Sequence, residues 1–220
     1  MAKKAERRER RICEREVAPL FPGKGPVAIL LIGEAPGPRG ADQSGIPFWG
    51  DRAGRLVYRA LADAGLATVP ETAWSSWDGA KLSSLGLRPS LRNCALTNAL
   101  SRCPTKDGVT FRAPTDRELR APQNLARLTD EITRAASRCQ GPLTIICFGS
   151  RANWLIGELS KTTKLPRFAL HNLPHPSAQG LLQSAPQKGR GLKLADLQSA
   201  WLTRLAALLK HSAGSSTAGR

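Results

Sequence analysis

Residues 27–32 read Val-Ala-Ile-Leu-Leu-Ile, six apolar residues in a row with no polar alternation. A strand with one face in water alternates; an unbroken run of this length suits a strand covered on both faces, as in a parallel sheet with helices on either side. Three further apolar runs follow at 94–98, 143–148 and 168–171. Between and after them lie stretches of helical character. Residues 52–64 carry Leu56, Leu61 and alanines at helical spacing before Gly65, and Thr115 with Glu118 has the capping-box spacing that opens a helix through about 136. Residues 151–159 suit a short helix, and 194–209 an amphipathic one containing Trp201. Strand and helix alternate with connections long enough for crossovers, which predicts an α/β fold: a three-layer α/β/α sandwich around a short, mainly parallel four-stranded sheet. With 220 residues and no Ser- or Pro-rich linker, residues 1–220 are expected to form one domain. A charged arm over about 1–18, helical or frayed over 3–17, precedes it, and a disordered tail over about 212–220 follows. Residues 68–89, with Trp74 and Trp77, read as an irregular excursion, and 101–114 as a long loop.

The formal net charge is +16 and the arginines outnumber the lysines. Such a surface favours a polyanionic partner, because cations that neutralise phosphates release condensed counterions, and guanidinium groups bind phosphate bidentately. Nucleic acid fits that description best. No run has the length and apolarity of a membrane span, and the first sixteen residues lack the apolar stretch of a secretory leader, so a cytoplasmic protein without membrane partners is expected. The five cysteines are irregularly spaced, which argues against a disulfide framework, and Cys94 and Cys147 fall inside strands.

Ligands in open α/β sheets sit where the strands end. Immediately after Ile32 comes Gly33-Glu34-Ala35-Pro36-Gly37, then Gly40-Ala41-Asp42-Gln43-Ser44-Gly45-Ile46-Pro47-Phe48-Trp49-Gly50-Asp51-Arg52-Ala53-Gly54. Carboxylates, an aromatic and backbone-exposing glycines in one loop read as an active site. This stretch resembles the first motif of the uracil-DNA glycosylase superfamily, closest to the bacterial and archaeal branches that usually hold an iron-sulfur cluster (families 4 and 5). Thr97-Asn98 is similar to the family's uracil-reading asparagine, and Leu173-Pro174-His175-Pro176-Ser177 to its His-Pro-Ser loop, which penetrates DNA. The resemblance runs from about Val27 to Leu209.

The resemblance implies a monomeric, monofunctional enzyme of base excision repair that hydrolyses the N-glycosidic bond of a flipped-out deoxyuridine. Its partner would be DNA containing uracil or abasic sites. Phe48 would stack on the base, Asn98 would read its O4 and N3 edge, and His175 would donate to O2 as charge gathers there. Glu34 and Asp42 are alternative acids for orienting the attacking water. Gly37 stands near where the strictest family members place a tyrosine, which leaves room for bases broader than uracil. Ser177 would press a phosphate, Gln179 or Leu181 would wedge into the vacated stack, and Arg190 would contact the backbone.

Four cysteines hold the cluster in iron-sulfur relatives, two near the N-terminus, one in the loop after the asparagine and one early in the next helix. Here only Cys13 and Cys103 correspond, and the helix position falls at or beside Pro122. No cofactor or metal is therefore expected, and packing by Phe111 and the prolines would hold the 101–114 loop instead. Two other classes remain open: a non-catalytic or slow-turnover binder of abasic DNA, and an enzyme acting on small nucleosides or sugar phosphates, which would not need the basic surface.

Overall fold

The computed structural model describes residues 11–214, and side chains through residue 211. Its elements in chain order are β1 (Val27–Gly33), α1 (Ala41–Ser44), α2 (Arg52–Asp63), β2 (Ala67–Thr68), α3 (Glu71–Ser75), α4 (Gly79–Ser84), β3 (Ser90–Leu91), β4 (Asn93–Asn98), α5 (Asp116–Leu119), α6 (Pro122–Ser137), β5 (Leu143–Phe148), α7 (Ser150–Thr162), β6 (Phe168–Leu173), α8 (Ala178–Ser184) and α9 (Leu194–Gly214), with a 3₁₀ turn at Pro186–Gly189 before α9. The main sheet has the order β4-β1-β5-β6, and all its pairings are parallel.

Every residue of β1 is buried, as its unbroken apolar pattern requires. Ile29 and Leu31 face one layer, packed with Val57, Tyr58 and Leu61 of α2 and Trp201, Leu205 and Leu209 of α9. Leu30 and Ile32 face the other, against Leu128 and Ile132 of α6 and Leu155 and Ile156 of α7. The period-2 alternation of Cβ directions thus serves two cores at once, giving the expected α/β/α sandwich. No helix among the described residues is long and apolar enough to cross a membrane.

Several local expectations are corrected. Residues 11–19 are not helical; they run as a strap whose Ile12 and Val17 are buried, with Ile12 N–H donating to Gly108 O (2.7 Å) and Val17 N–H to Ser101 O (2.8 Å). Two apolar anchors five residues apart match neither helical nor strand period. The remainder of the arm, 1–10, lies outside the described residues. The stretch 68–89 is ordered into α3 and α4, framed by the β2-β3 pair. The helix expected over 115–136 is two helices: the capping box of Thr115 and Glu118 starts α5, and Pro122, at the first position of α6, starts a second. Phe111 does not hold its loop, being 46% exposed. A bidentate Arg112–Glu118 pair and the side chain of Asp107, which accepts the Val109 and Thr110 amides, hold it instead. Helix α9 runs on to Gly214, beyond the expected start of the tail, of which 215–220 lie outside the described residues.

Candidate active site

The carboxyl ends of β1 and β4 lie side by side, with Gly33 in register with Asn98. A Cβ on Gly33 would stand 2.5 Å from Asn98 Oδ1 and 2.7 Å from Phe48 Cζ, so only glycine leaves room for the ring and the amide to converge there. Asn98 is 3% exposed, and its Nδ2 is buried with no hydrogen-bond partner among the described residues. An unpaired buried donor costs about 1–3 kcal/mol and persists at sites that await a ligand.

Phe48 is held at φ +61°, a left-handed conformation that a bulky side chain rarely adopts and that costs of order 1–3 kcal/mol. Its surroundings impose it. Tyr58 Oη donates to Pro47 O (3.0 Å), Ser44 Oγ to Trp49 O (2.8 Å), and Gly54 packs directly on the Phe48 carbonyl where any side chain would collide. The ring meets Phe148 edge-on at 5.6 Å.

Beyond β6, the segment 174–177 is anchored by Trp201 Nε1, which donates to Pro174 O (2.9 Å). The Ser177 N–H donates to His175 Nδ1 (3.2 Å), which fixes the neutral tautomer carrying its proton on Nε2. Burial lowers the imidazole pKa to about 4, so the side chain is uncharged at neutral pH. Gly180 lies against the backbone of His175, and Ser177 caps α8 through the Gly180 amide (3.1 Å).

The two candidate acids occupy different surroundings. Glu34 follows β1 directly, and its carboxylate rests on Gly149, the residue before α7, accepting the Arg151 N–H at 3.2 Å. Gly149 offers no side-chain cap, so Glu34 caps α7 from a distant part of the chain. Burial raises its pKa, against the opposing pull of the Arg151 amide and charge. Asp42 is fully buried beneath the N-terminal strap: Oδ2 accepts from Cys13 N–H (2.7 Å) and Gln43 Nε2 (2.9 Å), while Oδ1 has no partner among the described residues. None of its hydrogen bonds reaches Gly33, Phe48, Asn98 or His175.

Of the expected DNA contacts, Gln179 and Arg190 are exposed, but Leu181 is 3% exposed and belongs to the core packed with α9, so it is not available as a wedge. The error has a local cause: Ser177 starts a helix that turns Leu181 inward, where the sequence reading saw only a loop. Gly37 is next to Asp51, whose Oδ2 would lie 2.5 Å from a Cβ on that glycine. Asp51 itself was missed. It caps α2 by accepting the Gly54 N–H (2.7 Å), its pKa is raised by burial, and it fixes the loop through both Gly37 and Gly40. The Asp-x-x-Gly spacing before the helix was the signal.

The cysteines do not suit the cluster carried by iron-sulfur relatives. Cys13 is exposed, while Cys103 is buried, its thiol pushed up to about 12 by burial and then by the charges of Asp42, Glu14 and Cys13. Pro122 occupies the helix position, and no group of three or more His, Cys, Asp or Glu among the described residues could hold a metal.

Residues 22–201 match the sequence model of the uracil DNA glycosylase superfamily. The type-5 uracil-DNA glycosylase of Thermus thermophilus is 40% identical over 93 residues, 42% of this chain and 35% of that protein, so the chain spans about a third of the length of this curated relative. Among solved structures, Pedobacter heparinus SMUG2 is similar with a TM-score of 0.48 and 13% identity, over 84% of this chain and 77% of that one. Since the family match covers residues 22–201, from just before β1 into α9, and takes in all four strands of the main sheet, the chain belongs to the uracil-DNA glycosylase superfamily.

Proposed function

We propose that this protein is a DNA glycosylase that removes uracil from DNA by hydrolysis. The observation that carries the reading is the unpaired, buried amide of Asn98 beside the strained ring of Phe48. A planar base sliding over Phe48 brings a hydrogen-bonding edge to Asn98, which satisfies the orphan donor; uracil O4 accepts where cytosine presents an amino group. His175 donates from Nε2 to O2 of the departing base, and its neutrality suits a donor that must stabilise developing negative charge without first giving up a proton to solvent.

Glu34 is assigned the water. One carboxylate oxygen is held by the Arg151 amide, and the half-buried group directly follows the carboxyl end of β1. Asp42 is assigned to the strap instead, because it is fully buried beneath it and its hydrogen bonds run to Cys13 and Gln43. In the reaction, water oxygen bonds to C1′ as the C1′–N1 bond breaks; uracil leaves with the bonding pair, and the proton released from water passes to Glu34 and then to solvent. The position beside Gly37 is filled by Asp51 Oδ2, so the proposed substrate is uracil, without the broader base range expected from the sequence. Gln179, Ser177 and Arg190 are assigned to DNA contact, within a chain of net charge +16 that suits a phosphate backbone.

The test is single-turnover release of uracil from a labelled duplex, read as alkali-cleavable abasic product, for the wild type, Glu34→Gln and Asp42→Asn. Glu34→Gln keeps an oxygen for the Arg151 amide, and Asp42→Asn keeps one for Cys13. The expected result is a fall of at least about 100-fold for the first and less than about threefold for the second. No release by the wild type would end the hydrolase reading.

A further inference from the structure

β4 is the edge strand of the sheet, so the outward carbonyls at its end have no strand to accept from. Helix α6 supplies the donors. From one face of that helix, Arg127 Nη2 donates to Asn98 O, Ala99 O and Asn124 Oδ1, each at 3.0 Å, and its Nη1 donates to Glu131 Oε1 at 2.7 Å. Glu131 Oε2 in turn accepts Thr97 Oγ1 at 2.6 Å, and Asn124 Nδ2 adds a second bond to Ala99 O at 2.9 Å. Residues 97, 98 and 99 are thereby gripped one after another. The pair is largely out of water, with 16% and 7% of the Arg127 and Glu131 side chains exposed. Buried ion pairs are poor stabilisers, often matched by apolar residues of like volume. An apolar pair cannot, however, hold the Asn98 and Ala99 carbonyls, whereas the guanidinium fork does so with Nη2 while Nη1 is braced on Glu131.

We infer that Arg127, braced by Glu131, is a positioning residue for base reading: it fixes the backbone from which the Asn98 amide projects beside Phe48. The inference rests on the assignment of Asn98 as the base reader. Arg127 touches neither base nor sugar; its effect passes through the Asn98 peptide.

The experiment uses the full chain carrying Arg127→Met with Glu131→Leu, which removes both charges together and strands neither, and separately Arg127→Lys, which keeps a charge beside Glu131 but loses the fork. Melting temperature, affinity for a duplex with a stable abasic analogue, and single-turnover uracil release are measured for each. A shift of a reading group by an ångström costs about 100-fold, so uracil release is expected to drop about 10- to 100-fold in the double variant and less in Arg127→Lys. Abasic-duplex affinity, which needs no base reading, should stay within about twofold. In an Asn98→Ala background, the same pair of changes should add less than about threefold. Unchanged release, an equal loss in the Asn98→Ala background, or a parallel loss of abasic affinity would overturn the inference while leaving Asn98 as reader. Wild-type release by Asn98→Ala alone would overturn the reader assignment and the inference with it. Should the double variant not fold, Arg127→Lys carries the same comparisons.

Discussion

Replacing Asn98 by alanine separates the two things a buried side chain can be for. If Asn98 served the fold, its removal would cost stability in proportion to the bonds it makes. Its Nδ2 makes none among the described residues. Removing an orphaned buried donor recovers about 1–3 kcal/mol of desolvation. Against this stands the packing lost: roughly 30 Å³ of side chain at about 24 cal/mol per Å³ comes to about 0.7 kcal/mol, less where the vacated space opens to the pocket. The backbone bonds to Arg127 and through β4 are untouched by the change. The balance is near zero or slightly stabilising, a shift in melting temperature between no change and a rise of about 2–5 °C for a domain of this size. Excision of uracil should fall at least about 100-fold, because a hydrogen bond aligned to the base is lost at the point of discrimination. Thermal unfolding followed by circular dichroism, beside single-turnover release on the same preparation, reads both quantities. A melting point lowered by about 8 °C or more, with excision falling only as far as the folded fraction does, would refute the reasoning and make Asn98 a structural residue.

Gly33→Ala should remove activity by a different route: a methyl 2.5 Å from Asn98 Oδ1 and 2.7 Å from the Phe48 ring must push one aside, at a stability cost of about 1–3 kcal/mol, and wild-type excision would show that the two do not form one pocket. Because the His175 pKa is lowered to about 4, the unfolded chain takes up a proton near pH 6.5 that the folded chain refuses. Stability present above pH 6.5 is therefore lost as pH falls towards 4, by at most about 3 kcal/mol, and denaturant titrations across that range should show the loss vanish in His175→Gln. For Glu34 the sign is reversed: its raised pKa means the folded chain holds the proton more tightly, so the carboxylate costs stability at neutral pH and Glu34→Gln should melt no lower than the wild type. Duplex affinity measured between 50 and 200 mM salt should fall steeply, by about 10³-fold if six phosphates are contacted, and a flat response would argue for a small-molecule substrate.

The elements that could be read from sequence were those whose pattern is set by burial alone. The unbroken apolar run at 27–32 and the mostly apolar segments at 94–98 and 143–148 read as strands covered on both sides, and the site residues Glu34, Asn98 and His175 fall at or just past strand ends for that reason. What escaped depends on contacts between distant segments. Ile12 and Val17 are buried only because the strap lies across the 101–114 loop, and Leu181 is inward only because α8 packs on α9. Arg127 and Glu131 carry the ordinary spacing of an exposed helical ion pair, and nothing in it tells that the edge of β4 lies beneath them. That the strap covers Asp42 was likewise beyond local pattern, since it depends on the Cys13 amide reaching its carboxylate from 29 residues away.

Four departures from local rules fall at the residues assigned to the site. Phe48 sits at a positive φ, Asn98 leaves a buried donor unpaired, Glu34 has its pKa raised by burial, and His175 is kept uncharged. Each is unfavourable to the folded state on its own, and each is held by contacts around it: Tyr58 and Gly54 behind Phe48, Arg127 behind Asn98, the Arg151 amide at Glu34, and Ser177 and Trp201 around His175. Strain survives only where its surroundings over-determine it. A planar base with an acceptor at its edge and negative charge developing at its O2 would relieve the unpaired donor and engage the neutral imidazole. The cost held in this pocket is therefore complementary to the proposed reaction, and substitutions in the supports should lower excision before they lower the melting temperature.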